Sequence, residues 1–272
     1  MSLIWPSLFR ITTFALLITL AYFITLVYQV YFEQQKTKPA HLVDLPVFSE
    51  IWWVPVLSAA VLFFTRSKVP VLVRPVFNIY GKDKNDNDLF EARLAKTSVA
   101  TYKIIFYTLM SLWAYCLLYD TSIWPGFMGG KGTVEESYLN FPYAPQVPGL
   151  VTYSLVSLGY YLDDLVNHNF FRPKSNDFWE MNLHHLVTIG LFGGMIPMNA
   201  VRPGAIISLL HGISDITIAA SRIFSHTEFK VATRVVFIGQ TLLFIFLRNF
   251  AIPAYTLSCW WLLKYPPNLS QY

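Results

Sequence analysis

The sequence contains few charged residues for its length. Of its 272 residues, 20 are Lys or Arg and 16 are Asp or Glu, which is 13% of the chain, about half the roughly 25% of an ordinary soluble domain. The surface of a soluble protein of this size needs more charged residues than this sequence contains. The 54% of hydrophobic residues excludes a disordered chain. The composition therefore predicts a membrane protein with several spans.

Cysteine, glycine and net charge are scarce as well. The 2 cysteines and 13 glycines exclude a disulfide-rich secreted domain and a collagen-like chain. Cys116 and Cys259 lie in apolar runs, and we expect both to be small buried side chains. A net charge of +4, spread along the chain, does not indicate nucleic-acid binding. The expected partners are membrane lipids and other membrane protein subunits.

Seven apolar segments are candidates for crossing a bilayer, which takes about 20 residues. They cover residues 11–32, 51–65, 99–119, 147–166, 182–198, 201–223 and 231–263. The second is short, and the last is long and contains Pro253, so we expect a tilted or kinked helix there. The predicted fold is an all-α, polytopic membrane bundle of about seven transmembrane helices.

Basic residues set the expected orientation, because loops rich in Lys and Arg stay on the cytoplasmic side. Residues 66–96 carry seven Lys or Arg, whereas residues 33–50 and 120–146 carry two and one. Arg222, Lys230 and Arg234 flank the connection between the last two spans and are expected on the same side as 66–96. The N-terminus then faces the cytoplasm. Residues 81–88 are predicted to be a polar turn, and 126–148 an ordered loop outside the bilayer.

Titratable residues cluster inside the apolar segments, where charge is costly and each such residue suggests a function. The fourth segment contains Asp163 and Asp164, the fifth His184 and His185, and the sixth His211.

A single face of the sixth segment carries four of the polar residues. Ser208, Ser214 and Asp215 lie three or four positions from His211, so a helix presents all four side chains together.

Three interpretations of these polar residues are open. They can hydrogen-bond between helices as structural contacts, bind a metal, or perform acid–base or nucleophilic catalysis. The spacing disfavours the metal, because adjacent histidines on a helix point about 100° apart and no HExxH pattern is present. In the catalytic interpretation, His185 or His211 pairs with Asp215.

The segment 176–224 contains four motifs in sequence. They are Asp177–Phe178, His184–His185 with Thr188, Asn199 with Arg202 and Gly204, and His211 with Ser214 and Asp215. This order resembles the signature region of the ceramide synthases, within the TRAM–Lag1–CLN8 (TLC) domain family. The resemblance covers residues 92–265. It divides the chain into N-terminal membrane helices and a basic loop (1–91) and a TLC-like domain (92–272) that lacks the family's last helix.

The resemblance implies a reaction and roles for the motif residues. Ceramide synthases transfer an acyl group from acyl-CoA to the amine of a sphingoid base, inside a bundle of six membrane helices. By this resemblance His184 or His185 supplies the nucleophile or general base, Asp215 orients an imidazole, and His211 completes the polar layer. Acyl-CoA is then a co-substrate, and neither a cofactor nor a metal is required.

The resemblance also implies a substrate contact set and a location. The residues expected to contact substrate are Thr188, Asn199, Arg202, Ser208 and Ser214. The family suggests the endoplasmic reticulum membrane, with the mitochondrial inner membrane as the alternative.

The sequence departs from the family pattern at two carboxylates. Gly212 stands where the family has an aspartate, and Ala219 where it has an acidic residue. These departures favour a catalytically degenerate TLC protein that serves as a structural or lipid-binding subunit of a larger membrane complex, such as a respiratory assembly. The alternative is an active N-acyltransferase of the ceramide synthase type.

Overall fold

The computed structural model describes residues 51–264 except 140, 173, 175 and 176, together with Thr25, Gln29, Phe32, Glu33 and Lys36. Long helices dominate these residues, and the described part contains no β-strand, in agreement with the all-α prediction. The helices are α1 (Trp53–Tyr80), α2 (Asn87–Leu118), α3 (Leu150–Phe170), α4 (Phe178–Met195), α5 (Val201–Ser225), α6 (Lys230–Phe244), a π-helix (Ile245–Ala251) and α7 (Ile252–Lys264).

The described residues contain six long helices, because α6, the π-helix and α7 follow one another without a break. These six helices correspond to the six spans predicted within residues 51–264. The predicted span 11–32 lies outside the described residues, apart from three single positions. The last helix changes to π-helical hydrogen bonding at Ile245–Ala251, just before Pro253.

Helix α1 extends well beyond the predicted span. The sequence prediction of 51–65 is wrong, because the helix continues through Pro70 and Pro75 to Tyr80. Arg66 had suggested the end of the apolar segment, but its side chain is buried against acidic residues of α3. The basic segment 66–96 is consequently helical except for the short turn between α1 and α2.

The helices form an integral membrane protein. Four helical stretches in the described part are long and apolar enough to cross a membrane, namely Trp53–Tyr80, Asn87–Leu118, Val201–Ser225 and Lys230–Ser258. Large apolar side chains such as Phe64, Val71 and Leu72 are exposed on the bundle surface, where lipid is the medium that accommodates them. Cys116 is also exposed, which corrects the expectation that it is buried.

Close helix contacts organise the core between α1, α2 and α3. The rings of Phe106 and Tyr160 stack with their centroids 3.7 Å apart. A side chain at Gly159 would place its Cβ 2.6 Å from the Ser58 side chain. Glycine at this position therefore lets α3 lie directly against α1.

The α1–α2 and α5–α6 connections meet at one end of the bundle, the basic end. The amide of Lys82 donates to the carbonyl of His226 at 3.1 Å, and that of Glu228 to Tyr80 at 3.2 Å. Burial, together with the nearby cations Arg93 and Lys96, lowers the pKa of His226. These contacts confirm that the basic residues of the two connections lie on the same side.

Candidate functional site

Two adjacent carboxylates on α3 form the centre of a buried ion cluster. Asp163 Oδ2 lies 2.5 Å from Arg66 Nη2. Asp164 Oδ1 lies 3.0 Å from Arg66 Nη1 and 2.6 Å from Arg172 Nη2. Its other oxygen, Oδ2, lies 3.1 Å from Lys103 Nζ. Three cations from α1, α2 and the end of α3 thus surround the carboxylates.

Further contacts hold Asp163 and Arg66 in place. The Asn167 amide donates to Asp163 Oδ1 at 2.7 Å, and the Tyr102 hydroxyl donates to Asp163 Oδ2 at 3.4 Å. The Arg66 guanidinium also lies over the Tyr102 ring, 4.4 Å from its centroid. Buried charges are costly unless they are paired and hydrogen-bonded, and this set of contacts meets that condition across three helices.

His185 lies directly beside this cluster. Its Nε2 atom is 3.9 Å from Asp164 Oδ2, and the two side chains are 3% and 2% exposed. Neither ring nitrogen of His185 has a hydrogen-bond partner among the described residues. Buried polar atoms are normally hydrogen-bonded, so such an exception needs an explanation.

Two further imidazoles flank His185. The His184 and His185 ring centroids are 5.8 Å apart, and those of His168 and His185 are 5.5 Å apart. His168 Nε2–H donates to the carbonyl of Phe178 at 3.1 Å, and the two rings stack. These contacts hold His168, near the end of α3, against the start of α4 and next to His184 and His185.

A second ion pair joins α5 to the π-helix. Arg248 Nε donates to Ser214 Oγ at 2.8 Å, and Arg248 Nη2 donates to the carboxylate of Asp215. His211 Nδ1–H donates to the carbonyl of Ile207 at 3.0 Å, which leaves its Nε2 lone pair available. Since π-helical turns often occur at functional sites, the position of Arg248 in this segment is notable.

His184 connects the two charged clusters. It lies within electrostatic range of Asp215 and Arg248 on one side, and of Lys103 and Asp164 on the other. His211 in turn lies within range of Asp215, Arg248 and His184. The structure thus brings the predicted set His184, His185, His211 and Asp215 into one polar layer, although the carboxylate of Asp215 pairs with Arg248.

Three of the predicted substrate-contacting residues also lie in this layer. Thr188 Oγ1 donates to the carbonyl of His184 at 2.8 Å. Ser208 Oγ and the hydroxyl of Tyr153 are 2.8 Å apart. Ser214 accepts from Arg248, as described above. Whether these hydroxyls contact a substrate stays a prediction.

Asn199 and Arg202 lie elsewhere, at the end of α5 opposite to the basic end. The Asn199 amide donates to the carbonyls of Pro142 at 2.6 Å and Ala144 at 3.0 Å. Arg202 donates to the carbonyl of Pro145. Arg202 is about 13 Å along the helix axis from His211, at 1.5 Å per residue. The structure therefore places both residues against the loop between α2 and α3, and their substrate contact stays a prediction.

Gly212 packs α5 closely against α2. A side chain there would place its Cβ 2.8 Å from Ser111 Oγ and 4.0 Å from the Tyr107 ring. A side chain at this position would therefore require the Ser111 hydroxyl to rotate, whereas the Tyr107 ring lies at an ordinary contact distance.

Sequence reasoning missed most of the cations in the polar layer. Lys103, Arg172 and Arg248 were not among the predicted site residues, and Arg66 was interpreted as part of a loop. The available signal was an isolated charge within an apolar run, as for Lys103 and Arg248, because charges at that depth are costly. Their partners in the ion clusters became known only from the packing. Among the described residues, no group of three or more His, Cys, Asp or Glu side chains has an arrangement that could hold a metal ion.

The profile of the TLC domain family (TRAM, LAG1 and CLN8) matches residues 96–269. This region contains most of α2, all later helices of the described part, and the histidines of the polar layer. The chain belongs to the TLC domain family. This TLC protein is 24% identical over 234 residues to ceramide synthase hyl-2 of Caenorhabditis elegans, a match that covers 84% of the chain and 68% of the relative.

Mammalian ceramide synthases match shorter parts of this TLC protein. Ceramide synthase 4 of Mus musculus is 32% identical over 136 residues, covering 47% of the chain and 34% of the relative. Ceramide synthase 4 of Bos taurus is 29% identical over 155 residues, covering 57% and 37%. The matched part of the chain thus spans little more than a third of these mammalian relatives.

Proposed function

We propose that this TLC protein is an N-acyltransferase of the ceramide synthase type, which moves an acyl group from acyl-CoA to the amine of a sphingoid base. The observation that carries the proposal is the polar layer, in which His184, His185 and His211 lie with Asp164 and Asp215 inside a membrane bundle. The relatives named as ceramide synthases support the same reaction.

The chemistry needs a base in a site of low polarity. The amine nitrogen attacks the thioester carbonyl, the carbon–sulfur bond breaks, and the CoA thiolate leaves. An imidazole can accept the proton that the amine releases and return a proton to the departing sulfur. His185 and His211 are the candidates. Among the described residues, neither ring nitrogen of His185 has a hydrogen-bond partner. His211 uses Nδ1–H for a hydrogen bond to the Ile207 carbonyl, so its Nε2 lone pair can accept a proton.

The membrane position of the layer suits these substrates. A fatty acyl chain and a sphingoid base are both apolar along most of their length. Their chains can lie in the bilayer beside the helices, while their reacting groups reach the buried polar layer. We propose the endoplasmic reticulum membrane as the location, in keeping with the family. Acyl-CoA is the only co-substrate that this reaction requires.

The comparisons favour this activity over the hypothesis of a degenerate subunit. The relatives named above are enzymes by their names, and the histidines of the motif are retained here. Neither the fold nor the relatives support membership of a respiratory assembly.

A direct assay of amide formation tests the proposal. Protein purified in detergent and reconstituted in lipid receives sphinganine and acyl-CoA donors of several chain lengths, and mass spectrometry detects the product. We expect the wild type to form N-acyl sphinganine and His185→Ala to lose the activity. His226→Ala is the matched control, because His226 is a half-buried histidine outside the polar layer. Absence of product with every donor would contradict the proposal.

A further inference from the structure

His185 is a buried base without the partner that orients such a base. Both of its ring nitrogens lack a hydrogen bond among the described residues, although the side chain is almost completely buried. Leaving a buried polar group unsatisfied lowers the stability of the folded state. A structure that retains such a cost at the centre of a polar layer points to a contact that forms during function.

Asp164 is the nearest carboxylate to His185. Its Oδ2 lies 3.9 Å from His185 Nε2, and a hydrogen bond requires about 2.7–3.2 Å. A shift of about 1 Å would complete the contact. Hydrogen bonds of catalytic groups are often long before substrate binds and shorten in the complex.

The surroundings of Asp164 hold its carboxylate at that position. Arg66 and Arg172 contact Oδ1, while Lys103 contacts Oδ2. These cations belong to three different segments, so the carboxylate is braced from several directions. The titratable groups beside His185 are Asp164, His168 and His184, and Asp164 is the acid among these three.

The other two carboxylates of the polar layer contact groups other than His185. Asp215 pairs with Arg248. Asp163 contacts Arg66, Tyr102 and Asn167. Asp164 is therefore the carboxylate that the fold offers to His185.

We propose that Asp164 is the positioning residue of His185. Asp164 Oδ2 accepts the Nε2–H of His185. That contact fixes the tautomer whose Nδ1 carries the free lone pair, and it balances the positive charge when Nδ1 accepts the amine proton. The inference rests on the proposed function, since it assigns a role within the same reaction.

Steady-state kinetics of Asp164→Asn test the positioning role. Asparagine keeps the shape but presents an amide, so we expect kcat to fall about 100-fold or more, with little change in KM, as when an orienting aspartate is lost. Asp164→Glu should restore part of kcat, because it retains a carboxylate. Asp120→Asn is the control for the same change at an aspartate outside the polar layer. Asp120 pairs with Lys131 on the surface, so this variant should keep kcat within a few-fold.

A spectroscopic measurement separates this inference from the proposed function. Protein labelled with 15N at histidine reports the tautomer of each neutral imidazole, and His185→Gln identifies the His185 signals. At mildly alkaline pH we expect His185 to carry its proton on Nε2 in the wild type, and to lose this preference in Asp164→Asn.

The outcomes are distinct. If the wild type forms no amide but shows the Nε2–H tautomer, the proposed reaction fails and the pairing of His185 with Asp164 stands. If the wild type forms amide while Asp164→Asn retains kcat, the inference is overturned. A wild-type His185 with its proton on Nδ1 overturns it as well, without requiring that any Asp164 variant folds.

Discussion

Charged residues inside this bundle occur in pairs or clusters rather than singly. Arg248 contacts both Ser214 and Asp215, and Asp164 is shared by Arg66, Lys103 and Arg172. Removing one partner of such a pair leaves an uncompensated charge, which costs more than the pair contributes. At the scale of single residues, this rule explains why arginines and aspartates persist in apolar helices.

Gly212 provides a test of packing at the scale of one residue. Gly212→Asp should lower the free energy of unfolding by about 1–3 kcal/mol through overpacking, with a further loss from burying an unpaired carboxylate. The midpoint of thermal unfolding in detergent measures this change.

Gly212→Ala is the control for the substitution. The Ser111 hydroxyl can rotate away from a single added methyl group, and alanine favours the helix over glycine by about 1 kcal/mol. We therefore expect a nearly unchanged midpoint. Equal stability of Gly212→Asp and wild type would show that position 212 is not closely packed against α2.

At the scale of elements, Arg66 attaches α1 to the rest of the bundle. It pairs with two aspartates of α3 and lies over the Tyr102 ring of α2. The profile match of the TLC family begins at residue 96, after α1 and within α2. Arg66 therefore lies outside the region that the family profile matches, yet it completes the ion cluster beside the histidines within that region.

Replacing Arg66 tests how much this attachment contributes. Arg66→Met should destabilise the protein by about 3–5 kcal/mol, because two buried carboxylates lose a shared cation. Thermal unfolding followed by size-exclusion chromatography gives the measurement.

Arg74→Met is the matched control on the same helix. Arg74 pairs with Glu91 on the surface, where solvent or lipid headgroups screen the pair, so its loss should change the unfolding midpoint little. If the two variants unfold at the same temperature, the ion cluster does not hold α1 in place.

At the scale of the whole molecule, the two ends of the bundle are closed differently. The basic end is closed by backbone contacts between two short connections. The opposite end is covered by the loop between α2 and α3, which Asn199 and Arg202 hold through its backbone carbonyls. Asn199 and Arg202 are the two predicted substrate-contacting residues that lie outside the polar layer.

Asn199 is expected to stabilise this loop. Its backbone has φ +57°, which asparagine tolerates better than alanine, and its amide makes two hydrogen bonds. Asn199→Ala should lose both effects and speed cleavage of residues 126–148 in limited proteolysis.

Asn199→Gly separates the two effects, since glycine accepts the positive φ but lacks the amide. We expect intermediate protection of the loop. Identical cleavage rates for all three proteins would show that Asn199 does not anchor it, and would leave a substrate contact as the remaining role.

The sequence by itself determined the membrane class and most of the helix bounds. It also singled out four polar residues that the fold brings into one layer, and their catalytic role stays a prediction. Apolar runs between polar turns predicted α3, α4 and α5 to within a few residues, because a bilayer demands unbroken apolar helices. The sequence singles out His184, His185, His211 and Asp215 as candidates, because charge at membrane depth is rare enough to be informative.

Only the tertiary structure decided which charges neutralise one another. Arg66 and Asp164 are 98 residues apart, and their contact depends on how α1 packs against α3, which no local pattern encodes. The same packing extends α1 past its apparent end, since a paired arginine does not stop a membrane helix. The helix packing also pairs Asp215 with Arg248 and places Asp164 beside His185.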